Sequence, residues 1–202
     1  MKWLGFLFML IDHFGMFFFP NILFFRLIGR LAYPCFLYGV ALGVNATSDP
    51  YRYAGRLFFM GLLGMLAWGR LMPLNVGFSL GILVLGLYAY KQKKYTLVYV
   101  FGLLSVFVEY SLYGYLFGLL LYRWTTTNNR QRQITVLLII VLHVIIGLFD
   151  QVQVFALGFF LLWWFVGLMT QKELWSPRVP KLFGYLFYPV HIGVFRLFLG
   201  LF

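Results

Sequence analysis

A chain of 202 residues that is 63% hydrophobic, 22% aromatic and only 10% charged, with a mean hydropathy of +0.89, carries more apolar surface than a soluble domain of its size can bury. Lipid is therefore the expected solvent. A formal net charge of +11 does not point to nucleic acid, because the basic residues come in twos and threes between apolar runs and build no extended face. The single cysteine, Cys35, lies in an apolar run; it excludes an internal disulfide or a cysteine-based metal cluster and is expected to pack.

The first apolar run is followed by no small-residue cleavage site, and comparable runs recur to the C-terminal end. The reading is a multi-pass protein with a single membrane domain, 1–202, rather than a secreted one. Charges and Gly or Pro breaks divide the chain into about nine predicted segments: 3–19, 22–44, 54–72, 74–90, 95–108, 110–122, 133–149, 152–169 and 183–202. Segments 95–108 and 110–122 are shorter than the roughly 20 residues of a perpendicular span. They are expected to form a bent or re-entrant pair, which requires protein or a water-filled cavity over the broken backbone.

In this numbering Lys2, Arg52, Arg56, Lys91, Lys93, Lys94, Arg123, Arg130, Arg132, Lys172, Arg178 and Lys181 fall on one side, which the positive-inside rule makes the cytoplasm. The N-terminus is then inside and the C-terminus outside. The opposite connections, near 20–22, 72–74, 108–110 and 149–152, are too short to build a receptor or adhesin. The pairs Gly39/Gly43, Gly77/Gly81 and Gly114/Gly118 let helix backbones approach closely in lipid, and serve an internal interface as readily as a homodimer. No internal repeat is visible, which counts against a transporter built from inverted halves.

Topology leaves ten ionisable residues unexplained: Asp12, His13, Arg26, Arg30, Arg70, Glu109, His143, Asp150, His191 and Arg196. On insertion scales each costs about 2.5–3.5 kcal/mol at the bilayer centre, so such residues face a polar interior. Arg26 and Arg30 are four apart on one helix face, His143 and Asp150 seven apart, and Glu109 and Tyr113 four apart, so each pair can point at one cavity. An ion pair of Asp12 with Arg30 that fixes helix register is the bland alternative for those two. Three histidines on three helices, without HxxxH or HxxE spacing, do not read as a metal site. Walker and dinucleotide-glycine motifs are absent from the sequence. What remains is acid–base or acyl-carrying chemistry by a histidine held by a carboxylate, with arginines for anionic groups.

Five stretches, "MLIDHFGMFFFP", "LIGRLAYPCFLYGVALGVNATSDPYRYAGRLFF", "LNVGFSLGILVLGL", "VEYSLYGYLFGLLLY" and "LFYPVHI", resemble in order, across nearly the whole chain, the TraX family, named for the conjugal F-pilin acetylation protein and similar to the wider transmembrane acyl transferases. The resemblance sets Asp12 and His13 on an Asp-His motif, Arg30 on Gly-Arg, Pro34 on aromatic-Pro, Arg56 on Arg-Leu, Tyr113 and Gly114 on Tyr-Gly, and Tyr188, Pro189 and His191 on Tyr-Pro-x-His. Two departures are the Glu109 start of "EYSLYG", where an Asp-Tyr-Gly type is the family pattern, and the short connection after the second segment.

The resemblance implies an all-α polytopic enzyme of the bacterial cytoplasmic membrane, its helices enclosing a polar cavity, that moves acetyl from cytoplasmic acetyl-CoA to a protein amine or a glycan hydroxyl. His13, oriented by Asp12, is expected as base or acyl carrier, with His191 the second candidate. Arg30, Arg26 and Arg70 are expected at the oxyanion or donor phosphate, and Arg52, Arg56 and Arg123 at the nucleotide end of CoA. Glu109, Tyr113, Tyr188, His143, Asp150 and Arg196 complete the expected polar layer. A proton- or ion-coupled transporter and a non-catalytic assembly factor are the alternatives from other classes.

Overall fold

The computed structural model describes residues 2–69, 74–148 and 179–200. Among the described residues the secondary structure is helical, apart from one isolated bridge between Leu74 and Val108. In chain order the helices are α1 (Lys2–Phe18), α2 (Leu23–Gly29), α3 (Ala32–Ala46), α4 (Pro50–Trp68), α5 (Val76–Lys91), α6 (Tyr95–Leu104) followed by a 3-10 turn (Ser105–Phe107), α7 (Ser111–Thr126), α8 (Asn129–Gly147) and α9 (Lys181–Phe198). The expected segment 152–169, together with Arg70 and Asp150, lies outside the described residues. Leu23–Ala46 and Asn129–Gly147 are long and apolar enough to cross a bilayer; Trp3–Phe18, Val76–Lys91, Tyr95–Phe107 and Leu182–Phe198 are shorter apolar helices.

Local chemistry sets the helix ends. Asp49, Asn75 and Asn128 are N-caps whose side chains accept from the backbone N–H of Arg52 (2.9 Å), Gly77 (3.0 Å) and Gln131 (3.1 Å). Pro50 supplies the first turn of α4, and Gly69 closes that helix in the left-handed conformation at φ 66°.

Contact pairs give the helix directions. Gly15 meets Phe25, Gly29 meets Asp12 and Gly5 meets Phe36, so α1 runs antiparallel to the α2–α3 arm. Gly61 meets Gly77, Phe58 meets Gly81 and Tyr51 meets Tyr88, so α4 and α5 are antiparallel. Tyr113 with His143 and Trp124 with Arg132 make α7 and α8 antiparallel. By contrast, Phe6 with Phe187, His13 with His191 and Phe17 with Phe195 set α9 parallel to α1. This alternation gathers the start of α4 with Arg52 and Arg56, the end of α5 with Lys91, the end of α7 with Arg123 and the start of α8 with Arg130 and Arg132 at one end of the bundle.

The expected bend between 95–108 and 110–122 is present. Here α6 stops at Leu104, and Tyr110 (φ 66°) and Ser111 (φ 46°) turn the chain before α7. The freed backbone finds partners in the bundle: Glu109 N–H donates to the Leu74 carbonyl (2.7 Å), Val76 N–H donates to Glu109 Oε2 (3.0 Å), and the Ser79 hydroxyl donates to the Glu109 carbonyl.

Glycines make the close packing. A Cβ on Gly77 would stand 2.5 Å from the Gly61 Cα and 2.6 Å from its N, backbone that cannot move aside. Gly43, Gly81, Gly114 and Gly118 likewise face side chains of neighbouring helices of the same chain, Tyr53, Phe58, Tyr33 and Leu83. Gly77→Val is expected to cost about 3 kcal/mol or more, the upper range for overpacking. Gly193→Ala, with nothing within 4 Å of the new Cβ, is expected to be neutral or to gain up to about 1 kcal/mol of helix propensity. Thermal unfolding of the two purified proteins in detergent separates them.

Candidate active site

On α1 Met9, Asp12, His13 and Met16 follow at helical spacing and line one charged cavity of about 140 Å³. The α2–α3 arm adds Arg26, Gly29, Arg30, Tyr33 and Phe36; α4 adds Met65 and Trp68; Asn75 and Val76 come from the start of α5, Glu109 and Tyr110 from the bend before α7, and Tyr188 from α9. A larger cavity of about 530 Å³ lies beside it, lined by Phe6, Val40, Leu57 and Met60 along its length and by Thr47, Asp49, Arg52, Arg56 and Tyr185 toward the basic end. Met9, Phe36, Val76 and Tyr188 belong to both linings, so the two cavities adjoin at these residues. At 1.5 Å per residue, α4 rises about 18 Å from Arg56 at the wide cavity to Trp68 at the charged one.

Within the charged cavity the partners differ from those expected. Asp12 Oδ2 accepts from Arg26 Nη1 at 3.0 Å, so Arg26 rather than Arg30 is its ion-pair partner. Gly29 makes this possible, because a Cβ there would stand 2.2 Å from the Asp12 side chain. Asp12 does not orient His13: neighbouring residues on a helix point about 100° apart, and the His13 ring meets His191 instead. His13 Nδ1 and His191 Nε2 are 2.7 Å apart, with ring centroids at 4.9 Å.

The hydrogen positions in this pair follow from its surroundings. His191 Nδ1 lies 2.5 Å from the Phe187 carbonyl oxygen, which only accepts, so Nδ1 carries the proton. Neutral His191 therefore offers Nε2 as acceptor, and His13 Nδ1 is the donor across the 2.7 Å contact. The lone pair of neutral His13 is left on Nε2. His13 lines the charged cavity and His191 stands behind it, buried at 7% exposure.

Two polar atoms of the cavity residues, Asp12 Oδ1 and Arg30 Nε, are buried without a hydrogen-bond partner. Glu109 is held by the Val76 N–H, and Tyr33 and Tyr110 stack at 3.6 Å with planes 7° apart. The arginines at the wide cavity are placed differently. Arg52 is exposed and pairs with Asp49 at 3.5 Å, whereas Arg56 lies 5.7 Å from the Tyr185 ring centroid with Nε buried and unpartnered.

Other expected site residues lie elsewhere. His143 donates from Nδ1 to the Ile139 carbonyl (2.8 Å) and accepts the Tyr113 hydroxyl on Nε2 (3.0 Å), a satisfied contact between α7 and α8 that lines neither cavity. Arg196 donates to the Ala67 carbonyl (2.9 Å) and closes the end of α4. Arg123 also lines neither cavity. Sequence reasoning missed Trp68, Asn75, Tyr33 and Tyr110. Asn75 carries an N-cap signal ahead of an apolar run, while the three aromatics have no mark to separate them from the other rings.

These features define a helical bundle with a histidine-bearing charged chamber behind a basic-mouthed cavity. The TraX protein family model matches residues 1–199, and the chain belongs to that family. No curated protein and no solved structure matches it.

The Asp12–Arg26 pair can be tested by a double-mutant cycle of Asp12→Ala and Arg26→Ala. With side-chain exposures of 13% and 30%, the coupling is expected at about 1–2 kcal/mol, between exposed and fully buried pairs. An Asp12→Ala/Arg30→Ala cycle is expected to give less.

Proposed function

We propose that this chain is a membrane-embedded acetyltransferase in which the wide cavity receives acetyl-CoA from the cytoplasm and His13 Nε2 performs the transfer in the charged chamber. The family's association with pilin acetylation supports the class. The observation that carries the residue-level reading is the 2.7 Å contact of His13 Nδ1 with His191 Nε2, which leaves the other imidazole nitrogen of His13, a residue of the chamber lining, outside that contact. Membrane insertion is supported by the apolar outer faces, with Leu66, Tyr99, Leu103, Leu148, Leu197 and Phe198 each at least 66% exposed, and by basic residues gathered at one end, which would be cytoplasmic.

In the direct route, His13 Nε2 takes the proton from an acceptor amine or hydroxyl as that atom attacks the thioester carbonyl. The oxyanion collapses, the C–S bond breaks, and the CoA thiolate leaves with the proton held on His13. In the two-step route Nε2 itself attacks the thioester carbonyl and the C–S bond breaks as CoA leaves as thiolate; the acceptor then attacks the acetyl-imidazole, the C–Nε2 bond breaks, and the freed Nε2 takes up the acceptor's proton. In both, the bond from His13 Nδ1–H to His191 Nε2 stabilises the cationic or acylated ring, a role for His191 as a positioning residue. Arg30, with its free Nε in the small chamber, suits the developing oxyanion. Arg56 and Arg52 suit donor phosphates at the basic mouth. The acceptor, a protein N-terminal amine or a glycan hydroxyl, would meet the acetyl group in the same chamber.

Purified protein in liposomes, incubated with acetyl-CoA labelled in the acetyl group, tests this reading through free CoA and label retained on protein. His13→Ala is expected to lower CoA release by about 100-fold or more, the range for loss of a general base, and to abolish any retained label. Wild-type turnover matched by a folded His13→Ala protein would remove His13 from the mechanism. Arg56→Ala is expected to raise KM for acetyl-CoA by about tenfold with kcat nearly unchanged, because its contact is made equally in the ground and transition states.

A further inference from the structure

We propose that Trp68 is the stop that limits the acyl group to two carbons, an inference that rests on the acyl-transfer reading. The charged chamber holds about 140 Å³, against about 530 Å³ for the cavity that feeds it. A cavity of about 150 Å³ holds a molecule of benzene size, so the chamber has room for an acetyl group and an attacking atom but not for a long chain. Its walls add a chemical limit: extra methylenes would press against Asp12, Arg30 and Glu109 and strip these groups of polar partners.

Trp68 is a wall of the chamber that stands against the His13 ring. Its ring stands edge-on to His13 with centroids 5.7 Å apart. Two further contacts hold it: Nε1–H donates to the Tyr188 hydroxyl at 3.0 Å, and its ring stacks on Phe17 at 5.3 Å with planes 17° apart. Tyr188 is itself seated against Gly64, where a Cβ would stand 2.4 Å from its ring. An indole fixed on three sides does not yield to a longer chain, so length is read by a rigid surface.

The test uses the full chain in liposomes with acetyl-, butyryl- and octanoyl-CoA, glycinamide as the amine probe, and release of the CoA thiol as readout. Each added methylene is expected to lower kcat/KM by about tenfold or more, giving about 100-fold or more between acetyl and butyryl donors. Trp68→Ala, and to a smaller degree Trp68→Phe, are expected to raise the butyryl-to-acetyl ratio by at least tenfold. Equal turnover of octanoyl- and acetyl-CoA by the wild type overturns the proposal, and so does an unchanged ratio in the active Trp68 variants. If neither variant turns over any donor, Trp68 serves the fold or the chemistry itself and its role as a stop is rejected. Absence of turnover by the wild type with all three donors sinks the acyl-transfer reading, a result distinct from turnover without chain-length preference.

Discussion

The site depends on the close approach of α1 to α2. Gly15 and Gly29 bring the helices so near that a Cβ at either position would lie 2.1–2.2 Å from Phe25 or Asp12. That approach seats a carboxylate against a guanidinium in otherwise apolar surroundings, the arrangement in which a buried charge is tolerated. Once Arg26 is engaged by Asp12, Arg30 four residues on is left with a buried, unpartnered Nε in the same chamber. The pair therefore distinguishes the two arginines: Arg26 is engaged in an ion pair, and Arg30 Nε is not hydrogen-bonded.

The same logic separates the histidines. Each of His143 and His191 has Nδ1 against the carbonyl four residues back on its own helix, so each presents Nε2 as an acceptor. What differs is the donor that meets it. His143 receives a tyrosine hydroxyl and is finished as a polar packing contact, whereas His191 receives another imidazole, whose second nitrogen is passed on toward the cavity. One side-chain type in one local setting thus yields a tyrosine contact in one case and an imidazole pair in the other, decided by the partner across the interface.

Much of the bundle was legible in the sequence because apolar runs and their charged or glycine breaks mark helix positions directly. Among the described residues eight of the runs lie largely on helices, with 22–44 divided into α2 and α3 by the turn at Arg30 and Leu31 and 183–202 lying largely on α9. The cost of burying charge likewise picked out Asp12, His13, Arg26, Arg30 and Glu109, which line one chamber, and His191, which stands behind His13. Pairing was less legible. Position along a helix gives height in the bundle but not the direction a side chain faces, so His143 and Arg196 were grouped with residues from which the helix packing separates them. Sequence adjacency also misled for Asp12 and His13, because neighbours on a helix diverge while His13 and His191, 178 positions apart, meet. Trp68, Tyr33 and Tyr110 were invisible for a statistical reason: in a chain that is 22% aromatic, one more ring carries no signal.

The shared lining of the two cavities bears on a conflict inherent in the proposed chemistry. An imidazole lone pair beside unpartnered Asp12 and Arg30 atoms is most effective where water is excluded, because charge interactions strengthen as the surroundings dry. A phosphorylated donor requires the reverse, a wide and basic entrance open to solvent. With Met9, Phe36, Val76 and Tyr188 shared by the two linings, the proposed chemistry would divide the donor between them, its thioester arm at the charged chamber and its charged end at Arg52 and Arg56. Tyr188 is the residue through which these demands are joined: it lines both cavities, takes the Trp68 indole hydrogen bond and lies within 6.1 Å, centroid to centroid, of both His13 and His191. A shift of α9 at the shared lining would therefore also move His191 and Trp68 against His13, so in the proposed reaction donor entry and the alignment of His13 would be coupled through one helix.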